Sequence, residues 1–331
     1  MARYGLAAVE ACRLAQRELA RRDRRFFSLE ADSQDAGGFP FRDEFPDRYL
    51  AWTAGEASLI GAAGGLALAG KIPLVNTFSS FALIRACEQV RLDICYHQAN
   101  AKIFGNMGNM GGIGGAEEGF SEPAHCSIGD LALARSMPNL TVIAPADAVA
   151  AYHATLAAGA HSGPVYIRLA QMARRAEVAE NLTRQVYGLA CPFEIGQGIV
   201  LRDGGDLTLV AAGWGVVAEA LAAAELLRRD GVDARVIDLH TVKPVDRVLL
   251  ARAAEETGLV ITVEEHSVWG GLGGAVAEAL GDEYPVPMRI LGIRDACCHQ
   301  VEPHAARLRR YGLDAPGIAA CARQALARKG A

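Results

Sequence analysis

Apolar residues along this chain gather into short runs rich in valine, isoleucine and leucine, separated by longer amphipathic stretches. The runs at 26–30 (FFSLE), 72–76 (IPLVN), 101–105 (AKIFG), 140–145 (LTVIAP) and 165–169 (VYIRL) predict strands. The stretches near 3–20, 56–69, 79–92, 127–136 and 147–159 predict helices. These strands lack the in–out alternation of a one-sided sheet. Nearly continuous apolar strands alternating with helices imply a parallel sheet covered on both faces. The pattern breaks over 170–198, which is polar and poor in periodicity, and a linker near 172–192 is expected. A second strand–helix series follows, with strands at 207–213, 233–239, 258–265 and 286–293 and helices near 216–229, 246–257 and 272–280. The expected fold class is therefore α/β, with two doubly wound domains over residues 1–175 and 190–331.

Composition narrows the function without naming it. Hydrophobic residues make up 51% of the 331, enough for sizeable cores and too many for a disordered chain. The net charge of −5, with no basic run interleaved with aromatics, argues against a nucleic-acid partner. No apolar run is long enough to span a bilayer, so no membrane role is expected. The eight cysteines show no CxxC and suit neither zinc nor a disulfide framework. Reduced thiols in a cytoplasmic protein are the expectation. The Arg-rich amphipathic N-terminus carries Glu10, Glu18 and Asp23, which suits a first surface helix better than a transit peptide.

Four stretches carry candidate chemistry. GWGVVAEA (213–220) follows a strand and opens a helix, which raises a dinucleotide site with Asp238 as the ribose acid. Any doubly wound sheet favours glycine at that turn, so the signal is weak. SVWGGLGGAVAEAL (267–280) is a second glycine turn into a helix, where close packing is the simpler account. In WTAGEASLIGAAGGLALAG (52–70), Glu56 heads a glycine-rich helix with no other charge until Lys71. It either complements the helix dipole or stands, desolvated, where open α/β sheets do chemistry. A desolvated carboxyl there is a usable proton donor near neutrality. Phe78 and Phe81 follow a strand closely and offer either core packing or a platform for a flat ring.

At these residues the sequence resembles the transketolase and 1-deoxy-xylulose-5-phosphate synthase family, and most closely the C-terminal subunit of split, two-chain transketolases. The resemblance is carried by GEASLIGAAGGLALAGKIPLVNTFSSFALIRACEQVR, LALARSMPNLTVIAPADAV, VDARVIDLHTVKPVD and LVITVEEHSVWGGLGGAVAEAL, in that order. It implies a thiamine pyrimidine-binding domain followed by a transketolase C-terminal domain, and thiamine diphosphate as cofactor. It places the cofactor-activating carboxyl at Glu56 and the aminopyrimidine-stacking ring at Phe81, with Phe78 beside it. The family holds the diphosphate and Mg2+ through a Gly-Asp-Gly motif and a downstream asparagine in another domain. Here RDGGD (202–206) has no strand leading directly into it and no asparagine at suitable spacing, and reads as a turn. The resemblance therefore implies a partner: an N-terminal subunit carrying the diphosphate-binding domain, in a heterotetramer, with the metal ligands on that chain.

The substrate side departs from the family. Transketolases typically carry two histidines flanking a Gly-Glu-Asp-Gly turn in the loop after the third strand. FGNMGNMGGIGGAEEGFSEPAH (104–125) supplies His125 for the second and has Asn and Met where the first belongs. This loop is long for a strand–helix connection. Asn106, Asn109 and His125 become substrate candidates, and an atypical ketose is implied. Arg168, at a strand end, meets either an anionic substrate group or an inter-domain partner. Two rivals remain: the β chain of a 2-oxoacid dehydrogenase or an acyloin-forming synthase, and a non-catalytic assembly subunit.

Overall fold

The computed structural model describes residues 7–31, 40–53, 55–106, 125–169, 185–188, 190–297 and 304–329. Among them the strands form two sheets. The first is ordered β10-β5-β6-β4-β3-β1-β2 and the second β12-β11-β8-β9-β7. The strands run as β1 Phe26–Ala31, β2 Tyr49–Trp52, β3 Ile72–Phe78, β4 Lys102–Asn106, β5 Thr141–Ile143, β6 Val165–Arg168, β7 Ile199–Arg202, β8 Leu207–Ala212, β9 Ala234–Asp238, β10 Thr241–Lys243, β11 Val260–Ser267 and β12 Met288–Ile293. All pairings are parallel except β10 with β5 and β7 with β9. The expected strands are all present, and β3, β4, β6 and β8 are buried along their whole length, as apolar runs in a covered sheet must be.

One helix meets the sequence expectation with a closely docked inner face, and one departs from it. The N-terminal helix α1 (Ala8–Arg22) is amphipathic as expected, with Glu10, Leu14, Arg21 and Arg22 exposed, while its alanines, Cys12 and Leu19 are buried. Small side chains let it approach the helix Ala148–Ala160 so closely that a Cβ on Gly159 would stand 2.5 Å from Leu19. The helix expected over 79–92 is broken into wide π-helical turns at Phe81–Arg85 and Val90–Tyr96. Such turns are frequent at functional sites.

The domains are less separate than the alternation suggested. After β9 the chain lays β10 antiparallel on the free edge of the first sheet, with Ala144 donating to the His240 carbonyl at 2.7 Å. Lys243 caps the junction by donating to the carbonyls of Arg135 and Met137. One hydrophobic core runs through both units, from Leu29 and Val75 to Ile237 and Val276. Part of the expected linker, 172–184, lies outside the described residues. Its end is tied down by Asp147, whose Oδ2 accepts the backbone N–H groups of Val186 and Tyr187.

Candidate active site

The site begins where β2 turns into the helix Glu56–Leu68, here α2. Gly55 makes that turn at φ +107°, a left-handed conformation that only glycine adopts cheaply. The next residue, Glu56, therefore begins α2, where a negative charge is favoured. Its side chain is completely buried. Oε2 accepts from Arg85 Nη1 at 2.8 Å, and Oε1 has no hydrogen-bond partner among the described residues. A buried carboxylate oxygen without a donor is costly, and native proteins keep such atoms for a reason.

An aromatic group stands at the carboxyl ends of the central strands. Phe78 is the last residue of β3, and Phe81 opens the first wide turn beyond it. Their rings meet edge to face at 5.5 Å. His125 packs on both, 4.7 Å from Phe78 and 4.8 Å from Phe81. Asn106, opposite Phe78 in the β3–β4 register, is buried with its Oδ1 unpartnered among the described residues. The structure thus gathers Phe78, Phe81 and His125 in one cluster. It sets Asn106 against Phe78 and links Glu56 to the group through Arg85. Asn109 and the rest of the 107–124 loop lie outside the described residues.

Arg85 was not singled out in the sequence. Its guanidinium lies 3.8 Å over the Phe81 ring while it binds Glu56. The available signal was its position four residues beyond Phe81, which a helical turn places on the same side.

Arg168 is built into the domain junction. Its guanidinium donates to Asp130 at 2.9 Å and 3.2 Å, to the Ser127 carbonyl at 2.8 Å and to the Glu265 carbonyl of the second domain at 3.0 Å. Both side chains are buried, and Tyr166 adds a bond to Asp130 at 2.7 Å. Burial alone would raise the Asp130 carboxyl, but Arg168, His266 and the Tyr166 bond together hold it below the usual range. These contacts favour the inter-domain role over a substrate contact. They also anchor the backbone two residues beyond His125.

The glycine turns have structural explanations. Trp214, between Gly213 and Gly215, packs on the core of the first domain, and a Cβ on Gly213 would meet Ala144. Asp238 is buried and accepts from Tyr187 at 2.6 Å, so it does not face a ribose. The strand end that a dinucleotide would need is occupied by the domain contact. At the second turn, Glu264 accepts the N–H groups of Leu272 and Gly273 at 2.6 Å and 2.8 Å, capping a helix start. Burial pushes its carboxyl up to about 7 against those two bonds. RDGGD forms the turn between β7 and β8, as expected for a turn, although the short strand β7 (IVLR) does lead directly into it, contrary to the sequence reading. Among the described residues no group of three or more His, Cys, Asp or Glu could hold a metal ion, and no helix is long and apolar enough to cross a membrane.

Comparison with known proteins bears on this arrangement. Residues 5–175 match the family model for the transketolase pyrimidine binding domain, and residues 196–318 that for the transketolase C-terminal domain. The chain is 39% identical over 313 residues to the 6-deoxy-6-sulfo-D-fructose transketolase subunit SqwH of Clostridium sp. (strain MSTE9), covering 94% of this chain and 92% of that one. It is 36% identical over 307 residues to an apulose-4-phosphate transketolase subunit of Phocaeicola vulgatus, covering 91% of each. Among solved structures, a split gene transketolase described as an inactive β4 tetramer superposes with a TM-score of 0.84 at 38% identity. That match covers 97% of this chain and 98% of the other.

Proposed function

This chain belongs to the transketolase family, and from that premise we propose that it is the C-terminal subunit of a two-chain, thiamine diphosphate-dependent transketolase. The reaction is transfer of a two-carbon ketol unit from a ketose to an aldehyde. One observation carries the reading. A fully buried carboxyl at a helix head keeps Oε1 without a partner among the described residues, linked through Arg85 to a cluster of two phenylalanines and a histidine. That is the chemistry an aminopyrimidine requires: an oxygen for a ring nitrogen and an aromatic face for the ring.

The residues present fit the cofactor's pyrimidine half. Glu56 would hold the ring nitrogen through Oε1 and move a proton at that atom. Phe81 and Phe78 would fix the ring and exclude water. Thiamine diphosphate, when bound, supplies the electron sink for the transferred carbanion. His125, packed against both phenylalanines, orients and polarises the sugar. Asn106 and Asn109 are assigned to the substrate channel, and the 107–124 loop to its specificity.

The diphosphate and Mg2+ are assigned to an N-terminal partner chain, in a heterotetramer. Three observations support this. The matched families are the pyrimidine-binding and C-terminal domains, RDGGD is a turn between strands, and two similar chains are themselves named as subunits. The similar β4 tetramer is described as inactive, which agrees with the need for a second chain. The two named relatives act on a sulfonated and a phosphorylated ketose, so an atypical ketose with an anionic end is the proposed donor class.

The test is reconstitution. Each chain alone should be silent. The mixture, with thiamine diphosphate and magnesium, should turn over at least one of a ketose panel that includes 6-deoxy-6-sulfo-D-fructose and apulose 4-phosphate. Full activity of this chain alone, or a well-assembled mixture inert toward every ketose, overturns the reading.

A further inference from the structure

We propose that Arg85 is a positioning residue that holds Glu56 as the carboxylate when its proton passes to the bound ring. This rests on the reading of the site given above. The two oxygens of Glu56 have different surroundings. Oε2 is bound by Arg85 at 2.8 Å, and Oε1 is buried without a partner among the described residues. The division leaves Oε1 for the ring nitrogen and Oε2 for the guanidinium. In the proton transfer, the O–H bond of Glu56 breaks and an N–H bond to the ring forms. Negative charge then develops on a carboxyl group that is wholly buried. An isolated carboxylate in that setting is strongly disfavoured. A guanidinium at hydrogen-bond distance offsets the penalty. Preorganised charge of this kind costs no reorganisation at the moment of transfer.

The local fold holds Arg85 to this task. The wide turn Phe81–Arg85 sets the guanidinium 3.8 Å above the Phe81 ring, where cation–π contact and planarity restrict it. Arg85 is about half exposed, so it is anchored by these two contacts and not by burial. One side chain thereby couples the acid to the stacking ring.

The experiment uses the chain reconstituted with its diphosphate-binding partner, saturated with thiamine diphosphate and magnesium. Two quantities are read: hydrogen–deuterium exchange at the thiazolium carbon, and the 15N shift of a labelled pyrimidine nitrogen. Arg85→Gln should slow exchange about 10- to 100-fold, each tenfold step corresponding to about 1.4 kcal/mol, and should move the 15N shift toward the unprotonated ring. Arg85→Lys should recover exchange to within about threefold, because it keeps the charge but loses the planar fork. Wild-type exchange in Arg85→Gln overturns the proposal, as does a lysine variant no better than glutamine. Loss of cofactor binding in Arg85→Gln makes Arg85 a binding residue and also overturns it. Tighter binding with unchanged exchange marks Arg85 as a mere placeholder for the ring, and the proposal fails in that case too. Glu56→Gln separates the two levels. If it retains fast exchange, the reading of the site fails. If it loses exchange while Arg85→Gln does not, only the role of Arg85 fails.

Discussion

Replacing Asp130 by alanine strands the Arg168 guanidinium in the domain junction. Both side chains are buried, and Asp130 takes two bonds from Arg168 and one from Tyr166. Breaking a buried ion pair from one side costs about 3–5 kcal/mol, because the remaining charge keeps its desolvation penalty. The Tyr166 hydroxyl loses its partner as well, a penalty of about 1–3 kcal/mol that overlaps the first. We therefore expect a total of about 4 kcal/mol. With a urea slope of about 3 kcal/mol/M, the unfolding midpoint drops by more than about 1 M. The matched control is Glu278→Ala, which removes a largely exposed partner of Arg135 and should cost under about 1 kcal/mol. Arg168→Met in the Asp130→Ala background should restore more than half of the loss, since both charges are then gone. Urea unfolding followed by circular dichroism measures all of these. A loss below about 1 kcal/mol in Asp130→Ala refutes the structural role of the pair. If Arg168→Met instead left stability intact and raised only the sugar KM, Arg168 would be a substrate residue after all.

Further expectations follow from the same geometry. Glu56→Gln should lower the turnover of the reconstituted enzyme by at least about 100-fold while the two chains still co-elute on size exclusion, since only a proton donor is lost. Phe81→Ala should weaken thiamine diphosphate binding by about tenfold in calorimetric titration, the loss of roughly one aromatic contact. Asp238 is pushed up to about 7 by burial, a shift only partly offset by the Tyr187 bond and reinforced by the Asp147 charge. Because its folded value lies above the ordinary one, its contribution to stability is full below about pH 4 and is lost as pH rises toward 7. Asp238→Asn should therefore gain stability relative to the parent chain between about pH 5 and 8, by at most a few kcal/mol, in thermal melts across that range. A variant whose difference from the parent does not change with pH contradicts the assignment. Gly64→Ala should destabilise by about 1–3 kcal/mol, because its Cβ would stand 2.7 Å from the Asp93 carbonyl oxygen.

Much of this protein was legible in one dimension. Continuous apolar runs identify buried parallel strands, because a strand covered on both faces has no solvent side on which to place polar residues. Phe78 and Phe81 follow such a strand closely, which places them at its carboxyl end, where open sheets bind ligands. Glu56 was conspicuous as a lone charge heading an apolar helix. These signals depend on residues close in sequence, and local periodicity reports local geometry.

What depends on distant residues was decided only by tertiary packing. The pairing of Arg85 with Glu56 joins positions 29 apart, and that of Arg168 with Glu265 joins positions 97 apart. Arg168 had two readings of equal merit in the sequence, because a strand-end arginine looks the same whether it meets a sugar or a carbonyl of the next domain. The strand β10 has only three residues, too few to show a period, and exists because the edge of the first sheet offers it hydrogen bonds. How closely the inner face of α1 docks on its neighbour was likewise invisible, because it depends on Gly159 leaving room for Leu19. Sequence by itself determined most of the elements and their order, and pointed to the acid and rings of the proposed site. The fold decided which charge each acid meets, because that depends on which surfaces remain to be covered once the sheets have formed.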